Sequence, residues 1–131
     1  MEEPRRRIDY TDLNVWKKAV AFAEQVGAET GGTAFARHLD LRSQLDRSAT
    51  SISSNIAEGE GQSTNRGTLK FYFIARGSLY EARTQLVLAR NRSCLSEVKF
   101  NQLNSLADDV ARLIAGVIRA RRLREQNRSD P

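Results

Sequence analysis

Tyr72-Phe73-Ile74-Ala75-Arg76-Gly77-Ser78-Leu79-Tyr80-Glu81-Ala82-Arg83-Thr84-Gln85-Leu86-Val87-Leu88-Ala89 is the stretch that decides the fold of this chain. Tyr72, Ala75, Leu79, Ala82, Leu86 and Ala89 succeed one another at intervals of 3, 4, 3, 4 and 3 residues. That repeat keeps side chains on one face of an α-helix, with large and small residues alternating along it. Leu69, Phe73, Tyr80 and Val87 make a neighbouring stripe, interrupted by Gly77. The spacing predicts a helix over residues 66–91.

The segments on either side repeat the pattern. After Ser96, a good N-cap, Leu103, Leu106, Val110, Leu113 and Val117 form one stripe, and Ala107, Ala111, Ile114 and Ile118 a second. They predict a helix over 97–122. Upstream, Leu41, Leu45, Ala49, Ile52 and Ile56 predict a helix over 41–58, with Asp40 as its cap. Gly59 and Gly61 are expected to break it and leave residues 60–63 as a loop. Ser48 to Asn55, in the middle of that helix, is dense in small hydroxyl residues of poor helix propensity. Close approach of a neighbouring helix is the expected reason. A first helix over 13–29, capped by Thr11 or Asp12 and ended by Gly31-Gly32, carries two adjacent stripes. These are Leu13, Trp16, Val20 and Ala23, and Val15, Ala19, Phe22 and Val26.

Pro4 and Pro131 are the only prolines, so nothing between them carries the strongest helix breaker. The expected architecture is all-α: an antiparallel up-down-up-down four-helix bundle in a single domain over residues 1–131. Apolar residues on the first, third and fourth helices wrap further round than such a bundle needs, which favours self-association.

Composition excludes several classes. With 40% hydrophobic and 28% charged residues, the chain of 131 residues is neither a membrane protein nor a typical disordered one. The N-terminal MEEPRRRIDY has no apolar run after it, so no secretory leader is expected. One cysteine, Cys94, rules out an internal disulfide. A single histidine, His38, falls in the first loop and removes the Glu-x-x-His pairs that a di-metal helical site needs. No phosphate-cradling glycine loop is present. Neither metal nor cofactor is expected, and a reducing, cytoplasmic location follows most simply.

The net charge is +5, and it is unevenly placed. Residues 112–128 hold six arginines (Arg112, Arg119, Arg121, Arg122, Arg124, Arg128) against Glu125, while the rest of the chain balances. Arginine outnumbers lysine seventeen to four, and its planar fork suits phosphate and carboxylate. Arg76, Arg83 and Arg90 recur every seven residues along the third helix, and Arg112 and Arg119 do the same on the fourth. Such rows, with Arg122 and the basic end over 119–131, are candidate contacts to successive phosphates of RNA or DNA. The same arginines could instead pair with acids across helices or subunits. Trp16, Phe71, Tyr72 and Tyr80 could stack on bases, although their stripes place most of them in the core.

Ser51-Ile52-Ser53-Ser54-Asn55-Ile56-Ala57-Glu58-Gly59 resembles the signature of the four-helix proteins called 23S rRNA-intervening-sequence proteins. Asp12-Leu13 with Val15-Trp16 and Ala19, Ile74-Ala75 with Gly77-Ser78-Leu79 and Glu81, and Gln85-Leu86 with Ala89 agree in order and spacing. The resemblance spans about residues 10–120. That family often places proline where this chain has Ser53. Ser54, Asn55, Glu58, Gly59, Gly77, Ser78 and Glu81 are then the family's structural motif. The resemblance implies a cytoplasmic protomer of a ring-like homo-oligomer, usually a pentamer. It extends in fold to the accessory variability determinants of diversity-generating retroelements, basic pentamers that bind nucleic acid and a reverse transcriptase. Two functions follow as expectations: a non-enzymatic oligomeric nucleic-acid binder, or an assembly scaffold for another protein. An enzyme using Glu58 or Glu81 as a carboxylate pair has the least support, and no catalytic residue is assigned.

Overall fold

The computed structural model describes residues 9–129. The N-terminal residues considered for a leader, and the last two of the basic end, lie outside that range. Among the described residues there are four α-helices and no strands: α1 (Asn14–Thr30), α2 (Leu39–Glu60), α3 (Asn65–Asn91) and α4 (Glu97–Ser129). Single turns of 3-10 helix, Tyr10–Asp12 and Thr33–Phe35, precede α1 and α2. α2 packs on α3, α3 on α4, and α1 on both α2 and α4. Among the described residues no helix is long and apolar enough to cross a membrane.

The core comes from the stripes read in the sequence. Tyr72, Ala75, Leu79, Ala82, Leu86 and Ala89 of α3 are all buried. Of the two α1 stripes, Val15, Ala19, Phe22 and Val26 enter the core, while Leu13, Trp16 and Ala23 pack partly buried at its margin. The expected partition of α4 is redrawn, because Leu103 and Val110 are buried together with Ala107, Ile114 and Ile118. Leu106, Leu113 and Val117 stay half-buried.

The helix ends depart from expectation at four places. Thr11 and Asp12 do not cap α1; they lie in the 3-10 turn capped by Asp9, and Leu13 precedes α1 with no side-chain cap. The two hydrogen bonds that Thr11 donates to Asp9 hold that carboxyl below its usual value. Asp40 lies in the first turn of α2, and His38 occupies the cap position. α4 continues past residue 122 to Ser129, about 50 Å at 1.5 Å per residue, so the arginine-rich end is helical.

The fourth departure is Gly59, which continues α2 where a break was expected. A β-carbon at Gly59 would lie 3.2 Å from Phe71 Cβ, the Thr68 carbonyl oxygen and Tyr72 Cδ2. The Thr68 hydroxyl donates to the Gly59 carbonyl at 2.8 Å. Gly59 is thus a point of close approach between α2 and α3, where the missing side chain leaves room for Thr68, Phe71 and Tyr72. Gly59→Ala is expected to lower stability by about 1–2 kcal/mol, since overpacking outweighs the better helix propensity of alanine. A urea melt checks this; a higher midpoint would mean that α2 and α3 part without cost.

The hydroxyl-rich middle of α2 is held helical in two ways. Ser48 donates to Gln85 Oε1 at 2.5 Å and Ser51 shares a hydrogen bond with Ser78 at 2.8 Å, tying α2 to α3. Thr50, Ser53 and Ser54 turn back onto carbonyls of their own helix. Asn55 donates to the Ser51 carbonyl and hydroxyl. Competition from these side chains for the backbone is absorbed locally.

Candidate nucleic-acid interface

The six candidate arginines fall into two sets. Arg83 reaches from α3 to α4, where it donates to Asp108 at 2.6 Å and Asn104 at 3.1 Å. Arg90 lies 4.2 Å from the Phe100 ring centroid and 3.9 Å from the Glu97 carboxylate. Arg112 pairs with Asp109, one turn earlier on α4, and Lys18 also approaches that acid at 3.8 Å. Each of these three guanidiniums faces a carboxylate.

Arg76, Arg119 and Arg122 face none among the described residues. They line one cleft of about 310 Å³ between α3 and α4, together with Ala115, Ile118, Leu123 and Gln126. Among the described residues, no acid lines it. Arg76 and Arg122 both lie over the Phe73 ring, each 5.1 Å from its centroid. Stacking on an aromatic face holds a guanidinium in place yet leaves its N–H edges available to an acceptor. Arg119 has no hydrogen-bond or ion-pair partner among the described residues. Two arginines from α4 and one from α3 therefore converge, although 43 residues of sequence separate Arg76 from Arg119.

Of the aromatic residues considered for stacking, Tyr72 is fully buried and Tyr80 is 58% exposed. Phe73 was missed as an anchor; its spacing of three from Arg76 is the signal that could have revealed it. Tyr72 instead donates to Glu60 Oε1 at 2.8 Å, and Glu60 pairs with Arg121 at 3.3 Å. Arg121 also donates to Asn65 at 3.0 Å. Burial, and then the adjacent Glu60, push the Tyr72 hydroxyl well above its ordinary 10.0, with Arg121 opposing. No sequence pattern announces this network, because Arg121 lies 61 positions from Glu60.

The motif residues lie mainly along the α2–α3 seam. Ser78 is buried against Ser51, whereas Ser54 and Glu58 are exposed on α2. Glu81 is exposed on α3 and lines a polar groove with Arg47, Ser51 and Gln85. Gly59 sits at the level of Thr68 to Tyr72, and Glu81 at that of Arg47 to Ser51. Glu58 and Glu81 are thus about two turns apart and do not meet as a pair. Gly77 lies on the open face of α3, and a β-carbon there would touch nothing within 4 Å. Among the described residues no three His, Cys, Asp or Glu side chains gather as a metal site.

An all-α protein with four helices and an acid-free arginine cleft is the class these observations define. The sequence model of one family, described as 23S rRNA-intervening sequence protein, matches residues 11–116. The chain belongs to that family. Among solved structures, it is similar to a protein of unknown function from the S23 ribosomal protein family of Bacteroides thetaiotaomicron, with a TM-score of 0.72 and 20% identity. That alignment covers 79% of this chain and 97% of the other, and it speaks for the fold alone. No curated protein matches the sequence.

Proposed function

We propose that this protein is a non-enzymatic nucleic-acid-binding protein that meets phosphates through Arg76, Arg119 and Arg122. The observation that carries this reading is that three arginines line one cleft in which no acid stands among the described residues. Such a site is a sequence-independent phosphate contact whose affinity falls with salt. The experiment is fluorescence anisotropy of labelled structured RNA and duplex DNA at several salt concentrations, with the three arginines replaced by glutamine.

The helices run alternately up and down in this proposal. Arg90 with Glu97, Arg83 with Asp108 and Asn65 with Arg121 support it, since positions fall along α3 as they rise along α4. Several protomers then assemble into a ring, a pentamer as the family resemblance implies, and repeat the cleft about an axis. A modest affinity per protomer becomes multivalent.

A specific surface supports self-assembly and equally favours the scaffold alternative. Ile74, Tyr80, Val87 and Leu88 are exposed on α3, around the open Gly77. A mid-helix glycine costs roughly 0.5–1 kcal/mol relative to alanine, and no contact among the described residues requires this one. Gly77→Ala is expected to raise the thermal midpoint of the isolated protomer while shifting sedimentation toward smaller species. An unchanged sedimentation profile would place this face outside the assembly contact.

A further inference from the structure

We propose that a second cleft, on the other flank of α4, binds a small carboxylate with an apolar body. It is an open cleft of about 600 Å³ between the start of α1 and the later turns of α4. That volume is within the usual range for small-molecule sites. Leu13 and Val15 form one wall, and Leu113, Val117 and Ala120 the other. Leu13, Leu113 and Val117 stay only partly buried by the protein itself, so an occupant would cover apolar surface that the core leaves open.

The charges at its edge specify the partner. Glu60 and Arg121 line the cleft, but they pair with each other and are further engaged by Tyr72 and Asn65. Arg124, three residues further along α4, also lines it and has no hydrogen bond or ion pair among the described residues. Among the described residues, one positive charge is therefore left without a partner beside an apolar recess. A monoanion with an apolar body complements it, and a carboxylate matches the planar guanidinium fork. A phosphate dianion or a nucleic-acid strand would instead bring excess negative charge toward Glu60. This site is thus independent of the acid-free cleft on the α3 flank.

The test is calorimetric titration of decanoate, and of decanol as its uncharged counterpart, into the full chain below their aggregation concentrations. Trp16, the only tryptophan and one turn from Leu13, gives a parallel fluorescence readout. The expected result is saturable binding of one decanoate per chain, with decanol about tenfold weaker. Arg124→Gln should bind the two alike. Ala120→Phe should fill the recess and weaken both, with an unchanged thermal melt. Arg119→Gln, on the other flank, should leave decanoate binding intact. The proposal is overturned if the folded protein shows no saturable decanoate binding, or if Arg124→Gln keeps the preference for decanoate. It is equally overturned if Ala120→Phe alters sedimentation but not decanoate affinity, which would assign the recess to a second copy of the chain.

Discussion

Tyr72→Ala lowers the stability of the protein by about 3–5 kcal/mol, the cost of emptying a fully buried aromatic site. Two losses combine in this change. The ring leaves a cavity between helices, and Glu60 loses the hydroxyl that donates to it at 2.8 Å. Tyr72→Phe separates them: it keeps the ring and removes only the hydrogen bond, for roughly 1–2 kcal/mol. Urea denaturation of the two variants against the parent measures both losses. Equal effects would mean that the Glu60–Arg121 network, and not core volume, sets the contribution of this position.

The same hydroxyl predicts an alkaline limit. Its folded-state value is raised above the ordinary 10.0, so the native protein holds the proton after the unfolded chain has released it. Its contribution is complete below pH 10 and declines above it, because the unfolded state then binds fewer protons than the native one. The slope approaches 1.4 kcal/mol per pH unit for one such group. Tyr72→Phe should flatten the decline above pH 10 by that amount, measured by denaturation across the alkaline range.

Combined replacement of Arg76, Arg119 and Arg122 by glutamine reduces affinity for duplex DNA and structured RNA by about 100-fold or more at low salt. The dependence of log affinity on log salt should become shallower by about three for duplex DNA, about one for each lost phosphate contact. Replacement of Arg83, Arg90 and Arg112 should change binding far less, because each already faces a carboxylate. Circular dichroism melts establish that both triple variants fold. A larger effect from the second triple would move the interface to the α3 row. Absence of low-salt binding by the folded parent would remove the nucleic-acid reading and leave the assembly scaffold.

Periodicity made the helices legible because it reports which face is buried, and burial of apolar surface is what chiefly drives helices together. It located the α3 core residue by residue. It misjudged Gly59, since glycine as a breaker and glycine as a close-approach point look identical in one dimension. Only Phe71 and Tyr72 lying 3.2 Å from the missing β-carbon distinguishes them. The heptad of Arg76, Arg83 and Arg90 likewise put these residues on one edge of α3 but carried no information about what α4 sets opposite. Asp108 opposite Arg83 and Arg122 beside Arg76 give neighbours on one row different partners. Glu60 and Arg121 meet across 61 positions of sequence, a pairing that follows from tertiary packing and not from spacing.

The continuation of α4 as regular helix to Ser129 bears on the thermodynamics of any encounter with a polyanion. A basic tail that is disordered when free must surrender backbone freedom as it binds, about 1–2 kcal/mol for each residue fixed. Arg119 and Arg122, the two α4 arginines of the cleft shared with Arg76, are already carried on a regular helix. The ordering cost was met when the protein folded, so their charges act as a rigid template whose association rate is governed by long-range attraction and ionic strength.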